Sequence, residues 1–298
     1  LSGRASAQDA PERRTSEIAV EVILARAAGF CFGVRDGLAL ALAADDPRDV
    51  TIYGEFVHNP DVRAVLAARG FRETGEAARE TLSPTTRRVL VTAHGLSDRA
   101  RARLRAAGRE LIDATCPIVR RAHGVALAFA ATGRHVVVIG DPAHVETRGL
   151  VEDLPSYDVV PDPAAARPLG KPRLGVLAQT TTPPDLARRT TEALIAANPD
   201  AEVRFADTIC EPTKDRLRAV RELASRVDGF VVVGGPTSRN TLRLAEEAEA
   251  AGRPALVVRG PGDLLPAFFA GRRRIGLTAG TSTPDDALEA VRRAVAAF

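Results

Sequence analysis

Three times along the chain an apolar, strand-like run ends in a sharp turn, a cysteine and a helix-like stretch, at Cys31, Cys116 and Cys210. The sequence has no other cysteine, and the intervals of 85 and 94 residues each hold about one small α/β unit. A true internal repeat keeps its register beyond the first residue. Here His58, His144 and Ser238 follow the three cysteines at 27, 28 and 28 residues, with Asn240 two positions further on, each after a second apolar run. His94, Thr180 and Ser282 follow at 63, 64 and 72 residues, each after a third. Parallel strands present their ligand-handling residues at the carboxyl ends. The pattern therefore predicts an α/β fold of three units about a pseudo-threefold axis, a trefoil with mostly parallel sheets, aiming its thiols and a ring of His, Ser, Thr and Asn at one central cavity.

The rest of the chain agrees with that plan. Ten strand-like runs (20–25, 50–56, 88–93, 110–114, 135–140, 173–179, 202–208, 229–235, 254–260 and 273–280) alternate with helical patterns, the rhythm of parallel sheets flanked by helices. Helix signals include Ser97 as an N-cap, Gly70 as a stop, and Pro-Asp pairs opening the stretches at 184 and 284. Drawn by the repeat, the units are 18–112, 113–206 and 207–298, preceded by a frayed extension at 1–17. Two Pro- and Gly-rich stretches, 153–172 and 259–273, read as linker-like segments inside units. The longest apolar stretch, GVALAFAATG, is too short for a bilayer, and no targeting pattern is visible, so a cytoplasmic protein is expected. Net charge is +3, the arginines are spread over predicted helix faces, and Trp is absent. A nucleic-acid binder would carry a basic stripe with stacking aromatics, so no nucleic-acid partner is expected.

A lone cytosolic cysteine is most often a small buried hydrophobe, but three in one register ask for another reading. An odd count in a reducing compartment argues against disulfides, and structural zinc would show close C-x-x-C pairs and a fourth ligand. Three thiolates at helix N-termini, where the dipole favours negative charge, suit an iron–sulfur cluster. A [4Fe–4S] cluster normally takes four cysteines; with three, one iron lacks a protein ligand and acts as a Lewis acid toward substrate oxygen. Around it, His58, His94, His144, Ser238, Asn240 and Ser282 are donors at loops leading into helices, an anion site large enough for a diphosphate. Glu146, two residues from His144, is the carboxylate placed to give a proton to a departing hydroxide. His123 and His135 lie off the register and read as surface or core residues.

At this point the segments GFCFGV (29–34), VHNP (57–60), AHG (93–95), DATCP (113–117), HVE (144–146), QTT (179–181), SRNT (238–241) and TAGTSTPD (278–285) resemble, in order, the motifs of the LytB/IspH family of 4-hydroxy-3-methylbut-2-enyl diphosphate reductases. The resemblance implies an oxygen-sensitive [4Fe–4S] cluster on Cys31, Cys116 and Cys210. It also implies reductive dehydroxylation to isopentenyl and dimethylallyl diphosphate, the last step of the methylerythritol phosphate route to isoprenoids. His58, His94, His144, Ser238, Asn240 and Ser282 would hold the diphosphate, Glu146 with Thr180 would relay the proton, and a ferredoxin or flavodoxin would supply electrons. The family's His-Pro-Glu reads His144-Val145-Glu146 here, and its Thr-x-x-Arg-Gln ends in Leu217. Just upstream of His144, where the family often has an aromatic residue or His, Asp141 precedes Pro142. These departures leave open a paralogue acting on another diphosphate, and a non-catalytic iron–sulfur sensor is the alternative from another class.

Overall fold

The computed structural model describes residues 19–77, 79 and 84–298; the expected extension at 1–17 lies outside them. In chain order come β1 (Glu21–Leu24), α1 (Phe32–Leu42), β2 (Val50–Tyr53), α2 (Pro60–Ala68), β3 (Arg72–Glu73), β4 (Arg88–Val91), α3 (Asp98–Ala106) and β5 (Glu110–Asp113). Then follow α4 (Pro117–Ala131), β6 (His135–Ile139), α5 (Val145–Val151), β7 (Tyr157–Val160), β8 (Arg173–Ala178), α6 (Pro184–Ala197) and β9 (Glu202–Ala206). The last third holds α7 (Glu211–Ala224), β10 (Gly229–Val233), α8 (Arg239–Ala250), β11 (Ala255–Val258), α9 (Pro266–Phe269), β12 (Arg274–Ala279) and α10 (Asp285–Val295). All ten expected strands are present. The two missed, β3 and β7, are short, and β7 sits inside a stretch read as linker because of its prolines.

The strands form three four-stranded, all-parallel sheets, ordered β3-β2-β4-β5, β7-β6-β8-β9 and β11-β10-β12-β1. The order is the same in each, and the strand preceding a cysteine (β5, β9 or β1) is always at one edge. In one respect the sheets differ from a division into consecutive segments. β1, expected in the first unit, pairs with β12, Glu21 opposite Arg274 through Leu24 opposite Leu277, so the chain's first strand completes its last sheet.

Each sheet is covered on both faces, which is why its central strands read as unbroken apolar runs rather than alternating ones. Phe230 and Val232 meet α7 and α8 on one face, while Val231 and Val233 meet α10 on the other, as the two-residue period of a strand requires. The same division places α1 and α2 opposite α3, and α4 and α5 opposite α6. Among the described residues six small cores thus fix three sheets, and the carboxyl ends of their strands become the rigid rim on which functional loops are mounted.

Candidate active site

Each cysteine is the N-cap of a helix, Cys31 of α1, Cys116 of α4 and Cys210 of α7, and none caps through its side chain. Their backbone N–H groups donate to equivalent carbonyls two residues beyond β12, β4 and β8: Cys31 to Thr281 (3.3 Å), Cys116 to Ala93 (3.1 Å) and Cys210 to Thr180 (2.9 Å). The threefold relation therefore extends to single hydrogen bonds. All three thiols are free and partly buried. A Cβ on Gly33, in the first turn after Cys31, would lie 2.8 Å from Cys116 Sγ, so only glycine leaves the second thiol its place beside the first helix.

The thiols also share a field. Burial, with the charges of Cys31 and Glu146 adding to it, pushes the Cys116 thiol above its usual pKa despite N–H donation from Ile118 and Val119. Burial pushes Cys210 up to about 11, against the donated hydrogen bonds of Thr213, whose Oγ1 lies 3.1 Å from Sγ. At Cys116 and Cys210, then, desolvation outweighs the stabilisation of negative charge expected from the helix N-termini. A bound metal centre deprotonates a coordinating thiol outright, so three free, partly buried thiols, with Cys116 and Cys210 each within electrostatic reach of Cys31, fit an iron–sulfur group better than free nucleophiles. Arg216, which the cysteine register did not single out, donates to the Gly29 carbonyl and is buried near Cys31 and Cys210.

Glu146 is 1% exposed in the first turn of α5. Its Oε1 accepts the Thr180 N–H at 2.7 Å and its Oε2 the Thr180 hydroxyl at 2.9 Å. Burial outweighs both bonds and raises the carboxyl to about 7, so near neutrality it is poised between holding and releasing a proton.

Beside it the three register histidines form one cluster. His58 stacks on His94 with ring centroids 5.2 Å apart and planes 18° apart, and His144 meets both edge-on. His144 Nδ1 accepts the Glu146 N–H (3.2 Å), which leaves the proton of the neutral ring on Nε2. Burial brings His144 down to about 4, lowered further by His58, and His94 well below its ordinary value, lowered further by His144 and His58. Ring nitrogens of the three lie within 4.8 Å of one another, near enough to ask whether they hold a metal. The near-parallel planes of His58 and His94 answer against it, because imidazole binds metal in its ring plane and these two planes run side by side. The cluster reads as a set of donors.

The third unit closes the ring. Asn59, next to His58, donates to the Ser282 carbonyl (2.8 Å), and Asn240 Nδ2 donates to Thr281 Oγ1 (2.8 Å). A Cβ on Gly235 would lie 2.7 Å from the His58 carbonyl. That close approach brings the loop of the buried Ser238, whose hydroxyl makes no cap bond to α8, beside His58. Asn59 and Thr281 were not singled out as candidates, although both stand next to residues that were. His135 lies off the site, hydrogen-bonded to Ser156 and Asp158, and His123 sits on α4 with its Nε2 buried. Among the departures from the family pattern, Val145 is buried in α5, and Leu217 belongs to the core under α7 and borders a small cavity with Thr181 and Asn240.

The profile of the LytB protein family matches residues 22–296. The chain belongs to the LytB family. The 4-hydroxy-3-methylbut-2-enyl diphosphate reductase of Anaeromyxobacter sp. strain K is 35% identical over 275 residues, covering 91% of this chain and 97% of that one. The Pseudomonas aeruginosa protein of the same name is 34% identical, covering 89% and 87%. Among solved structures, the E-1-hydroxy-2-methyl-but-2-enyl-4-diphosphate reductase of Plasmodium falciparum superposes with a TM-score of 0.81 at 25% identity, covering 91% of this LytB chain and 86% of that one. Among the described residues no helix is long and apolar enough to cross a membrane.

Proposed function

We infer that this LytB protein is an iron–sulfur reductase that removes the allylic hydroxyl of 4-hydroxy-3-methylbut-2-enyl diphosphate, the last step of the methylerythritol phosphate route. Cys31, Cys116 and Cys210 would hold the cluster, of [4Fe–4S] type with one iron lacking a protein ligand. When bound, it supplies electrons and a Lewis-acidic iron. The reaction breaks the allylic C–O bond and consumes two electrons and two protons, releasing water and leaving isopentenyl or dimethylallyl diphosphate. A ferredoxin or flavodoxin would bring the electrons, in the cytoplasm, where three free thiols persist.

The observation that carries the reading is Glu146. A carboxyl with a pKa near 7, gripped by both donors of Thr180 and within electrostatic reach of Cys116 and Cys210, is a proton donor built beside the thiols. A sensor would have no use for it. His58, His94, His144, Ser238, Asn240 and Ser282 would hold the diphosphate and so fix the allylic carbon relative to that proton. The test is anaerobic incubation of the cluster-loaded protein with 4-hydroxy-3-methylbut-2-enyl diphosphate and a reduced viologen. Viologen oxidation with formation of both C5 diphosphates is expected. Loaded protein that leaves this substrate untouched but reduces another allylic diphosphate would contradict the substrate assignment.

A further inference from the structure

The groups assigned to the diphosphate carry little charge of their own: Ser238, Asn240 and Ser282 are neutral, and burial holds His94 and His144 in the neutral form. One permanent cation interrupts the row. Arg239, the first residue of α8, stands between Ser238 and Asn240, and its guanidinium donates to Asp141 Oδ2 at 2.9 Å. Asp141 belongs to another unit, in the turn between β6 and His144. Apart from Arg239, it is fixed by its own bonds: Oδ1 accepts the Ala143 N–H (2.9 Å), its carbonyl accepts the His144 N–H (3.1 Å), and its N–H donates to Gln179 Oε1 (3.1 Å). The arginine side chain is 58% exposed. Asp141 and Arg239 line a cavity of about 380 Å³ together with Gln179, Thr181, Thr182 and Arg243, and Arg239 is near enough to act on His144.

We propose that Arg239 exchanges partners: it rests on Asp141 in the free protein and moves to a phosphate of the arriving substrate, making it an anion-binding residue for which Asp141 is the competing counter-ion. The proposal rests on the diphosphate reading above. An exposed ion pair is weak, whereas guanidinium and phosphate match in a charge-assisted, two-pronged contact. Asp141 stays where its backbone bonds hold it. The exchange therefore costs one surface contact and brings a permanent positive charge onto the anion, beside those of Arg79 and Arg148, which act on His94 and His144.

The two members of the pair must then have opposite effects, which a purely structural strap between units would not produce. Calorimetric titration of the anaerobically purified, cluster-loaded protein with inorganic diphosphate reads this directly. Arg239→Gln should weaken binding about tenfold, and Arg239→Lys should recover part of the loss. Asp141→Asn, which keeps the oxygen that accepts the Ala143 N–H, should tighten binding roughly two- to fivefold by freeing the guanidinium. The double variant should match Arg239→Gln alone. If wild type binds diphosphate and both single variants shift affinity in the same direction, or Arg239→Gln does not change it, the exchange is overturned while the diphosphate reading stands. If wild type does not bind diphosphate, the diphosphate reading fails and the exchange with it.

Discussion

Glu146 meets two demands that oppose each other. Its burial raises the carboxyl to about 7, which suits it to the proposed proton donation and also makes its ionised form costly to the fold. A carboxyl raised in the folded state stabilises fully below its unfolded value near 4.5, and that stability is lost as pH rises through the folded value. By pH 8 the loss is roughly 3 kcal/mol for a shift of this size. Glu146→Gln removes the acidity but keeps the side chain's size. Turnover should fall by about 10²–10⁴ while diphosphate still binds, and the variant should melt higher than wild type at pH 8. In wild type, turnover should decline as pH rises above 7, because the donor is then ionised. A pH–rate profile and a pair of melting curves check both, and near-normal turnover in the variant would place the proton source elsewhere. The sequence marked this residue by its distance from His144, and the family resemblance paired it with Thr180. Neither showed that Thr180 would supply both donors, because that contact joins residues on two different strand ends.

At the scale of elements, the recurring unit is strand, cysteine, helix, and its legibility was uneven. The register of the cysteines, histidines and hydroxyl residues could be read because each lies just past an apolar strand, where chain position determines placement. Three features were hidden for physical reasons. The edge strand β7 is a four-residue YDVV between prolines, with too few residues to show a period. His144 caps α5 through its ring, a role ordinarily signalled by Ser, Thr, Asp or Asn. The balance of burial over dipole at Cys116 and Cys210 depends on packing that no local motif encodes. The close approach of α1 to α4 gives a test at this scale. Gly33→Ala sets a methyl group 2.8 Å from the unmoved Cys116 Sγ, so the thiol must turn aside. The variant should fold with a loss of about 1–3 kcal/mol, typical of overpacking, yet purify with much less iron than wild type. Full iron content in folded Gly33→Ala protein would show that Cys116 has room the geometry does not allow.

Across the whole molecule, the chain builds the same four-stranded sheet three times and uses its first strand to finish the last one. β1 was expected in the first unit because it precedes the first cysteine, but sheet membership depends on pairing. The equivalents of β1 in the other two sheets, β5 and β9, show why it belongs with β12: every cysteine leaves the edge strand that lies against the third strand of its sheet. This cyclic arrangement sets one cysteine just past an edge strand of each sheet, as the proposed cluster requires, with the histidine cluster and Glu146 mounted on neighbouring strand ends. The central claim is that all three thiols serve one cluster, and it is tested by the iron and acid-labile sulfide content of anaerobically purified wild type beside Cys31→Ser, Cys116→Ser and Cys210→Ser. Wild type should carry about four irons and four sulfides per chain, and each folded variant close to none; full iron and sulfide in any one of the three variants would contradict the account.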